Sequence, residues 1–332
     1  MYNFCTLFDS NYLSRGVAMY RSLEQNCSSF HLYVFAFDKK TEDVLAKLQL
    51  KHATVISLND FEDEHLLKVK PTRTPAEYCW TSTSSTILYV LEKYKVESCT
   101  YIDADLIFYS SPAPLFDELG NRSILITEHR YTPMYNKDLK SGTYCVQFVT
   151  FKNDERGLKA LHWWREQCLE WCYARFEDGK FGDQLYLEDW VTRFAGVHVL
   201  QHLGGGIASW NVQQYDFYDE FGKLFLVDIE RGNEYEVIFY HFHYVRLYTN
   251  GTVDLGRRLL SRKVMDKFYI PYLKQLETIK KEINAIDPSF DPHGAKDYTD
   301  DLKSRLITIY RKFKKVYNVF PLNNLLEERW PT

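Results

Sequence analysis

The sequence has 332 residues, which is enough for one large domain or for one domain with an appendage. Hydrophobic residues make up 45% and charged residues 26%, as in ordinary globular proteins, and the net charge of −4 gives no support to a nucleic-acid partner. The N-terminal segment shows no secretory signal, no apolar run is long enough to span a membrane, and the seven cysteines are scattered. These features predict a cytoplasmic protein.

The N-terminal part of the chain alternates short apolar runs with amphipathic segments. The pattern predicts strands over residues 3–8, 31–37 and 54–58, and helices over residues 13–25 and 41–50. This βαβαβ order indicates an α/β fold with a mainly parallel sheet covered by helices on both faces. Sheets of this kind bind ligands beyond the carboxyl ends of their strands.

The middle of the chain continues the alternation. Helices are predicted over residues 76–94, 154–176 and 183–194. Strands are predicted over residues 99–102, 106–109, 123–127, 146–151, 197–200, 224–229 and 237–240. The glycine-rich segment 203–207, with the following Trp210 and Asn211, predicts an irregular loop near an acceptor, although glycine runs also occur where only flexibility is needed.

The composition changes at about residue 256, where Lys, Arg, Glu and Leu begin to dominate with helical spacing. We therefore predict a catalytic domain over residues 1–255 and a helical C-terminal extension over residues 256–332, with a linker at 287–297. The last predicted helix is amphipathic and strongly basic. Such a helix packs with a solvated charged face, or it anchors the protein to anionic lipid.

Asp103 and Asp105 directly follow a predicted buried strand. Two carboxylates this close repel each other, and burial makes both charges more expensive. A divalent cation removes both penalties, and Mg²⁺ or Mn²⁺ in an oxygen-rich site grips phosphate oxygens. The alternative interpretation is a solvated acidic turn. The apolar runs on both sides of the pair favour the metal site.

Segments in a characteristic order resemble the retaining glycosyltransferase family 8, whose members have the GT-A fold of nucleotide-diphospho-sugar transferases. The segments are Cys5-Thr6-Leu7-Phe8-Asp9 with Asn11-Tyr12, Arg21-Ser22-Leu23 with Asn26, Asp103-Ala104-Asp105, Gly182-Asp183-Gln184 and Tyr240-His241-Phe242. The resemblance covers about residues 1 to 250. It implies transfer of a hexose from a nucleotide sugar, most simply a UDP-sugar, with Mn²⁺ or Mg²⁺, onto a glycan or lipid-linked acceptor of the cell envelope.

The resemblance also implies contacts with the donor. Asp9 is expected to accept a hydrogen bond from the uracil N3–H, and Tyr12 to stack on the base, although Asp9 equally suits an N-cap. Arg73 is expected on the donor phosphates or sugar, with a plain surface arginine as the alternative. Gln147 stands where the family has an Asn-Ser-Gly strand, and we expect it to bind sugar hydroxyls.

Asp183 and Gln184 are the predicted catalytic residues. The resemblance places Asp183 on the donor sugar hydroxyls and Gln184 beside the anomeric carbon, whereas simple helix capping is the alternative. Retention of configuration allows a covalent intermediate on a carboxylate, for which Asp183 is the candidate. It also allows attack and departure on one face of the sugar, which we favour.

His241 and His243 flank Phe242 at the end of an apolar strand, so both rings point the same way. One of them can complete the cation's coordination shell as a neutral imidazole, and we choose His241. The family's following glycine is replaced by Tyr244, and its later Lys-Pro-Trp is missing. We therefore expect Arg246 to supply positive charge to the leaving diphosphate.

Two other functions compete with glycosyl transfer. A sugar-phosphate nucleotidyltransferase usually carries a glycine-rich loop with Arg and Lys near its first strand, and none follows Asp9. A catalytically silent nucleotide- or glycan-binding module needs no acidic pair, so the presence of Asp103, Asp105, Asp183 and His241 argues against it.

Overall fold

The computed structural model describes residues 1–135 and 141–327. The last five residues of the predicted extension, 328–332, lie outside this range. The strands are β1 (Tyr2–Phe8), β2 (Phe30–Ala36), β3 (Ala53–Ser57), β4 (Ser98–Ile102), β5 (Leu106–Phe108), β6 (Ile124–Glu128), β7 (Tyr144–Lys152), β8 (Val197–Val199), β9 (Gly205–Ala208), β10 (Tyr215–Glu220), β11 (Lys223–Asp228), β12 (Glu234–Glu236), β13 (Phe239–His241), β14 (Arg246–Leu247), β15 (Thr252–Asp254) and β16 (Val319–Pro321).

The helices are α1 (Leu13–Asn26), α2 (Lys39–Leu48), α3 (Leu58–Phe61), α4 (Glu64–Val69), α5 (Pro75–Tyr94), α6 (Ala113–Leu119), α7 (Glu155–Glu170), α8 (Trp190–Arg193), α9 (Arg262–Val264), α10 (Ile270–Ile286), α11 (Leu302–Phe313) and α12 (Leu322–Leu326). A π-helical turn, Met265–Tyr269, joins α9 to α10. Within the described residues, no helix combines the length and apolar content needed to cross a bilayer.

The main sheet has the order β3-β2-β1-β4-β7-β6-β8 in the described part of the chain. The first four strands in this order are parallel, β7 is antiparallel to both of its neighbours, and β6 pairs with β8 in parallel. The sheet separates two hydrophobic clusters, one containing side chains of α1 and α10, the other side chains of α5 and α7. The predicted α/β class, with a mainly parallel sheet flanked by helices, is confirmed.

Helix α5 lies directly before the strand that leads to the acidic pair. It begins with a capping box, in which Thr74 and Glu77 satisfy each other's backbone N–H groups, and Pro75 occupies the first turn. It ends where Lys95 adopts a left-handed conformation. The helix packs on α7 and on β1 and β4, which fixes the position of the carboxyl end of β4.

Three local predictions were wrong in extent or type. The helix predicted over 154–176 is capped by Asp154 as expected but ends at Glu170. The helix predicted over 183–194 is replaced by a 3₁₀ turn (Leu185–Leu187) and the single turn α8, because the backbone leaves helical geometry at Asp189, with φ −106° and ψ 6°. The loop predicted over 203–207 contains strand β9, which pairs in parallel with β13.

The segment beyond residue 256 is built into the same core as the strands. Helix α10 packs on α1, and its apolar side chains belong to the cluster that contains Phe239 and Tyr240 of β13. The segment is also not purely helical, because β16 adds a strand to β15. The proposed boundary at residue 255 remains a prediction, but the described part of the tail shares its core with the preceding residues.

Helix α11 is attached by a polar contact. Within this fully described helix, Arg311 alone is buried, and its guanidinium makes two 2.7 Å hydrogen bonds to the Asp254 carboxylate and one of 2.7 Å to the Gly256 carbonyl. The large apolar side chains of α11 face solvent: Leu302, Leu306, Ile309, Tyr310 and Phe313 are 59–80% exposed. The helix therefore presents its apolar face outward.

We predict that Asp254→Ala lowers the free energy of unfolding by about 3 kcal/mol, because it leaves the Arg311 guanidinium buried and unpaired. The measurement is equilibrium urea unfolding. The exposed ion pair between Arg305 of the same helix and Asp300, which precedes the helix, provides a matched control, and Asp300→Ala should leave stability unchanged within error. Equal effects of the two substitutions would contradict the assignment of Arg311 as the anchor.

Candidate active site

The acidic pair lies at the carboxyl edge of the parallel strands, where β4 ends at Ile102. The Asp103 N–H donates to the carbonyl of Gln147 at 3.1 Å, and the Tyr101 hydroxyl donates to Asp103 Oδ1 at 3.1 Å. Asp105 is 8% exposed, and its side chain lies at the start of β5. The two carboxylates thus lie in the short connection between two buried strands, β4 and β5.

Strand pairing brings His241 to the two carboxylates. Strand β13 runs antiparallel to β5 with His241 opposite Leu106, the residue after Asp105. His241 Nε2 lies 3.1 Å from Asp105 Oδ1 and 3.6 Å from Asp103 Oδ2. One ligand atom from each of the three residues lies within 4.8 Å of the others. The three predicted metal ligands therefore converge, with the two oxygens and one imidazole nitrogen that suit Mn²⁺ or Mg²⁺.

Gln147 on β7 fixes the orientation of the His241 ring. Its side chain is fully buried, and its Oε1 lies 2.8 Å from His241 Nδ1. Because an amide oxygen only accepts, Nδ1 carries a proton, and Nε2 is the atom turned toward the carboxylates. Gln147 was expected on the donor sugar, whereas its side-chain oxygen contacts the histidine behind the acidic pair.

The charges of the cluster are mutually dependent. Burial raises the pKa of Asp103 to about 7, in spite of the opposing charge of His241. Burial also disfavours the charged form of Asp105, but the charge and hydrogen bond of His241 outweigh it and leave the pKa of Asp105 lowered. Conversely, burial opposes a charged His241, yet Asp105 holds the pKa of His241 well above its ordinary value. Protons thus hold the positions that a cation would take.

His243 is not part of the ligand cluster. Its ring centroid lies 5.6 Å from that of His241, and partial desolvation together with the positive charge of His241 lowers the pKa of His243, although the residue as a whole is exposed. Trp210 packs edge-on against both rings, at 5.3 Å from His241 and 5.6 Å from His243, and donates from Nε1 to the His129 carbonyl at 2.8 Å. The choice of His241 over His243 agrees with this arrangement.

Asp183 is buried close enough to the acidic pair to sense its charge. Burial, and next the charge of Asp103, raise the pKa of Asp183 to about 8. The Trp164 indole N–H holds the Asp183 carbonyl at 2.9 Å. The neighbouring Gln184 donates from Nε2 to the Ser141 carbonyl at 2.5 Å, so its side chain joins two loop segments.

Asp9 and Tyr12 lie at the carboxyl end of β1. Asp9 caps the 3₁₀ turn Ser10–Tyr12 by accepting from the Asn11 N–H at 3.0 Å and the Asn11 side chain at 2.9 Å, as the capping alternative anticipated. Burial of the hydroxyl, and then the charge of Asp105, raise the pKa of Tyr12 to about 12, although 42% of the residue is exposed. The Tyr12 hydroxyl is therefore near the acidic pair, while part of the ring stays open to solvent.

The two predicted phosphate-binding arginines occupy different places. Arg246 is exposed and stacks on the Tyr244 ring at 4.1 Å, and its charge acts on Tyr12. Arg73 stacks on the Tyr173 ring at 3.9 Å and donates to the Leu169 carbonyl at 3.2 Å. Contacts between described residues thus tie Arg73 to the end of α7, and none of them joins it to the acidic pair.

Sequence reasoning missed Arg15 on α1. Its guanidinium is buried, donates to the carbonyls of Asn11, Val245 and His293, and lies 4.5 Å from the centre of the Tyr12 ring. Its charge contributes to the lowered pKa of Asp105. No local signal marks Arg15, because a charged residue near the start of an amphipathic helix ordinarily faces solvent.

The sheet and the Asp-Asp-His cluster at its carboxyl edge define an α/β protein with a candidate metal site. The chain belongs to the family of YfnD and YfnF, two uncharacterised proteins of Bacillus subtilis. It is 31% identical to YfnD, over 87% of this chain and 93% of YfnD. It is 32% identical to YfnF, over 89% of this chain and 98% of YfnF. No profile of a known protein family matches the chain.

Solved structures that the chain resembles include the galactosyltransferase LgtC in complex with donor and acceptor sugar analogues. That resemblance has a TM-score of 0.49 at 12% sequence identity and covers 83% of this chain and 95% of LgtC. Another is the apo form of mouse xyloside xylosyltransferase 1, with a TM-score of 0.46 at 12% identity, covering 73% of this chain and 98% of that chain.

We predict that Mn²⁺ affinity falls about tenfold or more between pH 8 and pH 6. A cation needs an ionised Asp103, whose pKa is about 7, and a neutral His241, whose pKa is also raised, so binding must release protons as the pH falls through these values. Calorimetric titration with Mn²⁺ in two buffers of different ionisation enthalpy measures both affinity and proton release. An affinity that stays constant from pH 6 to pH 8 would contradict this linkage.

We predict that Gln147→Met weakens Mn²⁺ binding by about 10- to 100-fold, because Met has similar volume but no strong acceptor for His241 Nδ1. Titration calorimetry at pH 7.5 measures the change. Gln201→Met on the surface is the control, and it should bind Mn²⁺ like the original protein. Unchanged affinity in Gln147→Met would show that the amide does not orient the ligand.

Proposed function

We propose that the protein is a metal-dependent glycosyltransferase that moves a hexose from a nucleotide sugar, a UDP-sugar in the simplest case, to a glycan or lipid-linked acceptor. The observation that carries the proposal is the convergence of Asp103, Asp105 and His241 beyond the carboxyl ends of parallel strands. A sheet of this kind binds nucleotides at this edge, and an acidic pair with an imidazole suits a cation that grips a diphosphate.

Asp103, Asp105 and His241 would hold Mn²⁺ or Mg²⁺. When bound, the cation supplies positive charge that stabilises the leaving nucleoside diphosphate. Gln147 keeps the His241 proton on Nδ1, so that Nε2 is free to act as a ligand. Arg246, exposed beside Tyr244, offers a second positive charge to the diphosphate.

The nucleoside is proposed to lie over Tyr12 and Asp9 at the end of β1. The exposed part of the Tyr12 ring offers a surface for the base, and its hydroxyl side faces the charge of Asp105. The Arg15 guanidinium beneath the ring strengthens this platform. The contact of Asp9 with the uracil N3–H and the contact of Arg73 with the donor remain proposals.

Asp183 is proposed to position the donor sugar through hydrogen bonds to its hydroxyl groups. A buried carboxyl group whose pKa is about 8 is largely protonated at neutral pH and makes a poor nucleophile. This supports a retaining reaction in which the acceptor hydroxyl attacks on the face that the diphosphate leaves. Gln184, next to Asp183, would line the same region, and close positioning of the acceptor would supply much of the rate.

The partner of the tail helix is part of the same proposal. We place the protein in the cytoplasm, with α11 toward the inner face of the membrane. The exposed apolar face of α11 and its surplus of Lys and Arg support contact with an anionic lipid surface. A lipid-linked acceptor would make that contact useful.

We predict that Asp103→Asn and Asp105→Asn each reduce turnover at least about 100-fold, because they remove charge that holds the cation. The assay is UDP release from a panel of UDP-hexoses with Mn²⁺ and a mixture of glycan and lipid-linked acceptors. Asp117→Asn, an exposed carboxylate on α6, is the control and should retain full activity.

The same preparations separate the alternatives. Tight binding of UDP with Mn²⁺ but no turnover with any donor would indicate a silent binding module. Pyrophosphate-dependent formation of UTP from a UDP-sugar would indicate a nucleotidyltransferase. Full turnover in both acidic-pair variants would overturn the metal-dependent mechanism.

A further inference from the structure

A groove of about 670 Å³ runs along α11, on the side where the helix meets the segments around residues 134 and 257. Its size is within the range of sites that bind organic ligands. Its walls are mostly apolar, with three cationic side chains, of which Arg311 is paired with Asp254. The lining includes the apolar side chains of Met134, Leu259, Leu306 and Tyr310 and the cations Arg257 and Lys314.

We propose that this groove binds the hydrocarbon chain of an anionic lipid whose phosphate lies at Arg257 and Lys314, and that this lipid is the carrier of the acceptor glycan. Binding of the lipid is independent of glycosyl transfer, whereas its identification as the acceptor carrier rests on the proposed function. The occupant is a phosphate-bearing lipid with a single accessible chain.

The apolar side chains that line the groove are exposed to solvent. Met134, Leu306 and Tyr310 are 58–61% exposed, and Leu259 is 37% exposed. They form a contiguous strip with the other exposed side chains of α11, and apolar strips of this kind on a surface generally mark binding sites. A hydrocarbon chain that covers these side chains removes their apolar surface from water, which favours binding.

The positive charges around the groove favour binding of an anionic ligand. The sequence of α11 contains no Asp or Glu but several Lys and Arg residues, in a chain whose net charge is −4. Arg311 is neutralised by Asp254, whereas Arg257 and Lys314 have no carboxylate partner within the residues that the structure describes. A second copy of the chain would bring the same positive charges together, so charge complementarity favours a phosphate over self-association.

The groove adjoins the active site through a short series of hydrogen bonds. The Leu259 carbonyl accepts from the Gln213 side chain at 2.7 Å, and Gln213 also donates to the Ser209 carbonyl at 2.8 Å. Ser209 precedes Trp210, whose ring packs on His241. A lipid held in the groove would therefore be bound beside the segment that supports the metal site, as a lipid-linked acceptor requires.

The test uses the full chain and monododecyl phosphate below its critical micelle concentration, with binding measured by titration calorimetry. We expect saturable binding that Leu306→Asp and Lys314→Glu each weaken at least about tenfold. Leu302→Asp is the matched control, because Leu302 is 76% exposed on the same helix but does not line the groove, and it should bind like the original protein. Dodecyl maltoside, with the same chain and no charge, and inorganic phosphate, with no chain, should both bind much more weakly.

Several outcomes would overturn the proposal. One is that Leu302→Asp weakens monododecyl phosphate binding as much as Leu306→Asp does. Another is that dodecyl maltoside binds as tightly as monododecyl phosphate. A third is that the chain forms a concentration-dependent dimer that covers the groove. Titration of each variant with UDP and Mn²⁺ checks that the fold is intact and keeps a failure of the proposed enzyme distinct from a failure of lipid binding. Sedimentation with anionic vesicles adds a further distinction: Leu302→Asp should reduce vesicle binding through the helix face while leaving monododecyl phosphate binding unchanged.

Discussion

The structure depends on the placement of two carboxylates at the buried end of a β-strand. Asp103 and Asp105 lose most of their hydration there, and two neighbouring negative charges without a partner are costly in such a place. The antiparallel pairing of β5 with β13 supplies His241 as the partner, and Gln147 on β7 fixes the ring. The raised pKa of Asp183 follows from the same crowding. A cluster built in this way is stable as a set of shared protons, and its three ligand atoms lie close enough together to hold a divalent ion in their place.

The members of the Asp-Asp-His cluster were predictable from the sequence because their signals are local. Asp103 and Asp105 follow an apolar strand directly, and His241 ends another apolar strand, so each residue is marked by its own neighbours. The contact between Gln147 and His241 joins residues 94 positions apart and leaves no trace in either segment. The packing of Trp210 on His241 and the role of Arg15 were missed for the same reason, since both arise only when distant elements pack together.

The fold followed the sequence where hydrophobic periodicity was strong, and the first three strands and two helices fall within two residues of their predicted bounds. It departed from the prediction over residues 183–194, where the backbone leaves helical geometry at Asp189, and over the glycine-rich segment 203–207, which contains strand β9. Gly204 lies so close to the Glu236 carbonyl that a Cβ atom would approach it to 1.9 Å, so the glycines serve strand packing rather than a loop.

The attachment of α11 through Arg311 has a practical consequence for anyone who shortens this chain. A basic amphipathic tail is an obvious candidate for truncation to improve solubility, on the assumption that it is a separate membrane anchor. Cutting before residue 300 would leave Asp254 as an isolated buried acid, uncover an edge of β15 by deleting β16, and take Leu325 out of the core. The shortened protein would be destabilised as a whole. Loss of activity after such a truncation would therefore not be evidence for membrane binding by the tail.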